Sequence, residues 1–290
     1  MGILIGTLEQ GIIYAILALG VMITYKILDF PDLTVDSSFP LGAAVSAVLT
    51  LQGMPPSLTL VFACLAGALA GLVTGIIHVK FKVRDLLSGI ITMTALYSIN
   101  LRIAGKANLP IFGSDTLFKS DFAKLLPKGY ETLIIASIVL LIAKLLLDLF
   151  LKTKAGYLLR AVGDNEKVVT TLAKDSGTVK IIGLCMANAL VAFSGAVMCQ
   201  QQRFFEISMG TGAIVIGLAS VIIGMNVFGK LTFISTTTSV IIGSILYKAC
   251  VTLAISTGFA PSDMRLVTAV LFLAILVMGQ TKRKKGDIRA

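Results

Sequence analysis

Three features of this 290-residue sequence predict an all-α polytopic membrane protein with about nine transmembrane spans. Of its residues 56% are hydrophobic, only 14% are charged, and the mean hydropathy is +0.94. A hydrocarbon core about 30 Å thick needs roughly 20 helical residues to cross, and apolar stretches of that size recur along the chain. No water is available there to bond the backbone, so the stretches must be helices rather than open sheet. The net charge of +10 raises the question of nucleic acid, whose phosphates attract basic patches. Lys and Arg fall instead in short loops between apolar stretches, where they set orientation in a lipid bilayer; no nucleic-acid partner is expected.

The spans fall near 4–25, 38–53, 57–79, 85–104, 131–151, 178–200, 211–228, 233–255 and 263–280. The first begins at residue 2 without a basic region or small-residue cleavage site, so it reads as a retained helix rather than a signal peptide. The second is a short Gly/Ala-rich helix that follows the polar, Pro-interrupted passage Asp29–Ala43. In the third, Gly67, Gly71 and Gly75 recur every four residues and leave one face bare for another helix. The fourth opens on Asp85 as an acidic cap and runs on through Thr residues. The fifth carries Lys144 and Asp148 one turn apart, able to pair or to snorkel to the interface. Lys248, in the eighth, is expected to reach headgroups in the same way.

Short-loop charges orient these spans. Lys26, Lys80, Lys82, Arg84, Lys152, Lys154, Arg160, Lys167, Lys174 and Lys230 fall on one side with the cluster Lys282, Arg283, Lys284, Lys285 and Arg289. That side is assigned to the cytoplasm, which puts the amino terminus outside and the carboxyl terminus inside the cell membrane. The order of features in the first four spans recurs in the last four. The run from Arg84 to Leu96 has the pattern of Ser262–Leu271, and Asp29–Ala43 that of Gln202–Ala213. One span lies outside the repeat, so the second copy enters from the opposite side. The organisation is a single transmembrane domain: repeat one at 1–105, an extracellular loop at 106–130, a linking span at 131–151, a cytoplasmic segment at 152–177, inverted repeat two at 178–280 and a basic tail at 281–290.

Candidate chemistry is sparse. Gly224–Leu231 has the Gly-to-Gly-Lys spacing of a phosphate-binding loop, but Leu231 stands where Ser or Thr must hold magnesium, and an apolar helix rather than a strand precedes it. His78 is the one histidine, and Cys64, Cys185, Cys199 and Cys250 lie in apolar segments without metal spacing. No Ser/His/Asp or paired-carboxylate arrangement at one membrane depth marks an enzyme, and no cofactor is expected in this chain. Glu9 either faces outward water or lines a translocation path. Asp32, Asp36, Ser37 and Ser38, flanked by Pro31 and Pro40, are too polar for lipid and too interrupted for one straight helix. Glu206 and Ser208 are their counterparts in the second half. These passages either line a cavity or form surface loops with capping residues.

The segment Thr153–Thr178 is long for a loop, and Tyr157, Leu158, Val162, Val168, Val169 and Leu172 recur at roughly helical spacing. Two short amphipathic helices broken near Gly163-Asp164-Asn165 fit it, each needing a groove in its own chain or on a partner. Gly156-Tyr-Leu-Leu-Arg-Ala-Val-Gly-Asp-Asn-Glu166 resembles the coupling segment of ABC-importer permeases of the branched-chain amino acid and ribose/xylose type. Gly156, Arg160 and Ala161 match that family's pattern, and Gly163 and Asn165 match a common variant. Gly11–Tyr25 followed by Leu41-Gly-Ala43 is similar to its first span. The resemblance implies docking on an ATPase subunit, with Asp164 and Glu166 in the same segment. It also implies a second permease copy, an extracytoplasmic solute-binding protein, and ATP and magnesium held by the ATPase. The break Phe30–Phe39 departs from members that take branched-chain amino acids and resembles a subgroup for tryptophan or other aromatic amino acids. The rival is an ion-coupled secondary transporter working without an ATPase, which inverted repeats and Glu9 would serve equally.

Overall fold

The computed structural model describes residues 2–120, 123, 125–127, 129–165, 169, 175–229, 234–256, 266, 268–270, 273 and 277. Nine α-helices order the described chain. They are α1 (Gly2–Met22), α2 (Val35–Leu51), α3 (Pro56–Val79), α4 (Asp85–Ala104), α5 (Glu131–Leu151), α6 (Lys154–Asp164), α7 (Ser176–Gln202), α8 (Ala213–Phe228) and α9 (Thr236–Ser256). Seven of them, some with the turns that extend them, are long and apolar enough to cross a membrane; α2 is shorter and α6 is polar on one side. The expected span at 263–280 and the basic tail at 281–290 lie outside the described residues, apart from six positions up to Val277.

Each leading helix sits in the other half. α1 packs against α8 and α9, and α7 packs against α2 and α3. Small residues make both crossings possible. A Cβ on Gly67 would lie 2.3 Å from the Asn188 carbonyl oxygen and one on Gly71 2.2 Å from that of Leu184, while Gly75 faces Ile181. The four-residue glycine stripe of α3 thus tracks successive turns of α7. Gly42 and Gly195 bring α2 and α7 equally close, and Gly224 and Gly243 do the same for α8 and α9. The glycine that mimics a phosphate loop is therefore a packing residue inside α8.

α1 widens into a π-turn at Ile23–Ile27, after which Asp29 takes a left-handed conformation (φ 52°) ahead of Pro31. A non-helical passage then turns back inside the bundle to start α2. At the far end of the molecule, Asn108–Pro110 and Phe204–Glu206 pair as antiparallel strands β1 and β2, so the segment expected as a plain loop at 106–130 is partly ordered by sheet pairing. Lys144 and Asp148 pair at 2.6 Å, and Asp148 also accepts from the Thr237 hydroxyl (2.8 Å), tying α5 to α9. Lys248 does not snorkel. Its ammonium lies 4.1 Å from the Tyr14 ring centroid, where the ring face replaces water.

Candidate functional site

The first broken passage is a sealed polar knot. Asp32 is 1% exposed, and its carboxylate accepts from the Thr34 N–H (2.9 Å) and from the Asn188 amide (2.7 Å). The Ser38 hydroxyl donates to the other end of that amide (2.7 Å), and Thr34 and Thr74 share a hydrogen bond of 2.9 Å. Gly89 of α4 presses on Leu33 from the other side. Asp32 and Ser38, expected along a path, are therefore sealed in this structure, because α3, α4 and α7 close over them and their bonds are directed inward. Asn188, missed in the sequence, is the hub; its signal was an amide in the middle of an Ala/Gly-rich apolar span.

A few residues on, the arrangement opens. Asp36 reaches across to the second broken passage, its Oδ2 accepting from the Gly212 N–H (3.1 Å) and its Oδ1 from the Ile214 N–H (2.8 Å). It thereby caps α8, whose first N–H groups have no partners within the helix. Pro40 gives no N–H to the Asp36 carbonyl, and bare Gly210 packs against both. The two passages thus meet at an open cleft of about 630 Å³, which includes Asp36, Ser37, Tyr97, Asn100, Ser208 and Thr211 in its wall. Asn100 is buried, and its amide donates to the Ser37 carbonyl (3.0 Å).

Of the residues expected along a path, Asp36, Ser37 and Ser208 line this cleft. Glu206 is exposed on β2 and accepts from the Ser208 hydroxyl. Glu9 stands apart, half-buried and bonded to Gln201 of α7. The contribution of α4 was not anticipated. Thr94, Tyr97, Ser98 and Asn100 fall on or beside one stretch of a helix whose hydropathy, 1.3, is the lowest of the seven described spans, and that was the available signal.

The opposite end carries the amphipathic segment. Thr153 caps α6, its hydroxyl accepting from the Gly156 N–H (3.3 Å). The inner face is Gly156, Leu159 and Val162. A Cβ on Gly156 would lie 2.5 Å from the Phe150 carbonyl oxygen and one on Gly163 1.7 Å from that of Ile27, so both glycines belong to the seam with the body, not to an outward surface. Leu159 closes on Gly183 of α7 and is fully buried. The groove for this helix is in its own chain. Lys154, Tyr157, Arg160, Ala161 and Asp164 face outward, with the Arg160 guanidinium 5.8 Å from the Tyr157 ring centroid. Tyr157 was expected on the apolar face, but seating of Gly156 and Leu159 turns it out. Asn165 ends the helix, and Glu166 and the expected second helix lie outside the described residues, Val169 excepted. Just before α7, Asp175 accepts from the Gly177 N–H (3.0 Å) and the Thr178 hydroxyl, and these bonds hold its carboxyl below the usual range.

Comparison with known proteins agrees along nearly the whole chain. Residues 3–278 match the family described as Branched-chain amino acid transport system / permease component. The chain is 45% identical over 276 residues to the tyrosine transport system permease protein of Clostridioides difficile, covering 95% of this chain and 91% of that one. It is 25% identical to a ribose import permease of Haemophilus influenzae, over 96% of this chain and 86% of the other. PsaBC from Streptococcus pneumoniae, solved in complex with Fab, shares the fold at a TM-score of 0.53 and 15% identity, covering 93% of this chain and 89% of that chain.

Proposed function

This chain belongs to the family of branched-chain amino acid transport system permease components, and from that premise we infer that it is the membrane subunit of an ATP-driven importer for an amino acid, aromatic like tyrosine. The tyrosine permease of Clostridioides difficile motivates the choice of solute. The observation that carries the mechanism is α6. Its apolar face is already used by its own chain, so its ordered outward face of Arg160, Ala161 and Asp164 is available to another protein.

On this reading the α6 end is cytoplasmic, two copies pair, two ATPase subunits hold ATP and magnesium, and an external binding protein delivers the solute. Nine spans in two inverted repeats complete the architecture, a reading supported by the exchange of α1 and α7 between halves. Closure of the ATPases displaces α6, and the seam at Gly163 passes that displacement to the π-turn below α1. The cleft at Asp36, where the two halves meet, then changes the side it faces.

The test is uptake by vesicles carrying the chain with its ATPase and binding subunits. Uptake of tyrosine that requires ATP is expected, and Arg160→Glu should reduce it at least about tenfold, as for a central interface arginine, while thermal stability shifts by no more than about 0.5 kcal/mol. Uptake by the lone chain driven by a proton or sodium gradient would replace this reading with an ion-coupled transporter.

A further inference from the structure

The end of the molecule that carries α6 also holds a cavity of about 550 Å³, where α3 turns into α4 beside the start of α7. Lys82 and Arg84 from the turn and Lys180 from α7 stand in its wall, with Asp85 and Asp175 as its carboxylates. The turn is held in shape. Lys82 takes a left-handed conformation (φ 54°), and the His78 ring donates from Nδ1 to the Val83 carbonyl (2.9 Å) while standing edge-on to Phe30. Both carboxylates are engaged by helix starts. Asp175 accepts from the Gly177 N–H and the Thr178 hydroxyl at the head of α7, and Asp85 lies in the first turn of α4, where the positive end of the helix dipole offsets it. Three cations from two separate stretches of chain therefore share one cavity whose negative charge is already spent, and what it lacks is an anion.

Depth and surroundings say which anion. The cavity lies where the long apolar helices α3, α4 and α7 end, which is the boundary of the membrane. Beside it Phe81, Leu86 and Leu87 are 71%, 45% and 49% exposed, a surface suited to hydrocarbon rather than to water or to an acidic protein. Further along the same two helices, α3 and α4, runs a groove of about 260 Å³, hollowed by Ala66, Ala70 and Ala95 and flanked by Leu69, Val73 and Ile99. The Thr92 hydroxyl in its wall is spent on the Ser88 carbonyl (3.0 Å), so the groove offers nothing polar to an occupant. At about 1.5 Å per helical residue, the groove begins roughly 8–10 Å from the cavity and ends roughly 20 Å from it. Half a bilayer with its headgroups is about 20 Å thick, so a single lipid matches both features in length and in the order of their chemistry. A phosphate ion would fill the cavity and leave the groove empty, and a second copy of the chain laid in the groove would leave the cations unpaired.

We propose that an anionic phospholipid is seated between α3 and α4, its phosphate held by Lys82, Arg84 and Lys180 and an acyl chain laid in the groove. The site shares no lining residue with the cleft at Asp36, and its occupancy is read without transport.

The test is native mass spectrometry of the full chain, delipidated in detergent and titrated with phosphatidylglycerol or phosphatidylcholine of identical chains. The first bound phosphatidylglycerol should hold about tenfold more tightly, and Lys82→Gln with Arg84→Gln, both at exposed positions, should erase that preference. Ala95→Phe keeps every charge and fills the groove from an exposed position; it should weaken phosphatidylglycerol at least about fivefold. Glycerol 3-phosphate, which has the phosphate without the chains, should not displace the lipid at equal concentration. Equal affinity for the two lipids, or a preference that survives the double charge variant, overturns the proposal, and loss of the ATPase subunits by that variant would then assign the cavity to an acidic face of theirs. Displacement by glycerol 3-phosphate overturns it in favour of a soluble anion. Unchanged lipid binding in Ala95→Phe overturns it too, and if that variant splits a dimer instead, the groove belongs to a second copy.

Discussion

The first broken passage ends, from Asp32 to Thr34, walled in by α3, α4 and α7, whereas the passage from Arg203 to Gly212 keeps one side in a cleft. Both interrupt the long helices of an apolar bundle, where unbonded polar groups are costly. The first is satisfied by side chains: Asp32, Ser38 and Asn188 form a closed set of hydrogen bonds. The second is satisfied by backbone, through pairing of β2 with β1 and through the Asp36 cap. Polar residues in a membrane chain thus divide into those whose bonds are all spent within the fold and those with capacity left over. Asp32 and Asp36 share a chain segment and a charge, and fall on opposite sides of that division.

The largest effect expected is at the crossing both passages depend on. A Cβ on Gly42 would lie 1.8 Å from the Ala192 carbonyl oxygen, and backbone cannot yield as a side chain can. Gly42→Val should cost about 3 kcal/mol or more and abolish monodisperse protein after detergent extraction; a well-behaved variant would mean that α2 and α7 separate freely. Next, Asp32→Ala strips partners from Thr34 and Asn188 and should lower stability by about 2–3 kcal/mol in thermal unfolding, with Asp32→Asn recovering part of it. Normal stability with lost transport would move Asp32 into the path and erase the contrast with Asp36. The smallest effect belongs to Glu206, exposed at the rim: Glu206→Gln should change stability by less than about 0.5 kcal/mol and leave uptake within twofold of the parent.

The sequence reveals the broad plan because composition and charge act through the solvent, and hydropathy alone marks α3, α5 and α7. The glycine stripe of α3 also reads correctly, since a four-residue spacing has one geometric use in a helix. The cleft does not, for two physical reasons. Its wall from α4 is made of Thr94, Tyr97, Ser98 and Asn100, each ordinary in an apolar span and significant only where a neighbouring helix leaves it uncovered. Asp32 and Asp36 look interchangeable along the chain, and only the placement of Asn188, more than 150 residues away, separates the sealed carboxylate from the one at the cleft. On α6 the periodicity finds an amphipathic helix, but not that Gly156 and Gly163 belong to its inner face, because a glycine's side is set by what approaches it.

The exchange of leading helices has a consequence for how the protein is made. The Ser244 hydroxyl donates to the Gly11 carbonyl across 233 residues of sequence. At roughly 5–20 residues per second, α1 waits about 10–50 s in the bilayer before α9 is synthesised to cover it. During that interval Gln10 lacks its partner Lys248, and α1 is held by its own hydrophobicity and by the helices made earlier, among them α7, whose Gln201 reaches Glu9.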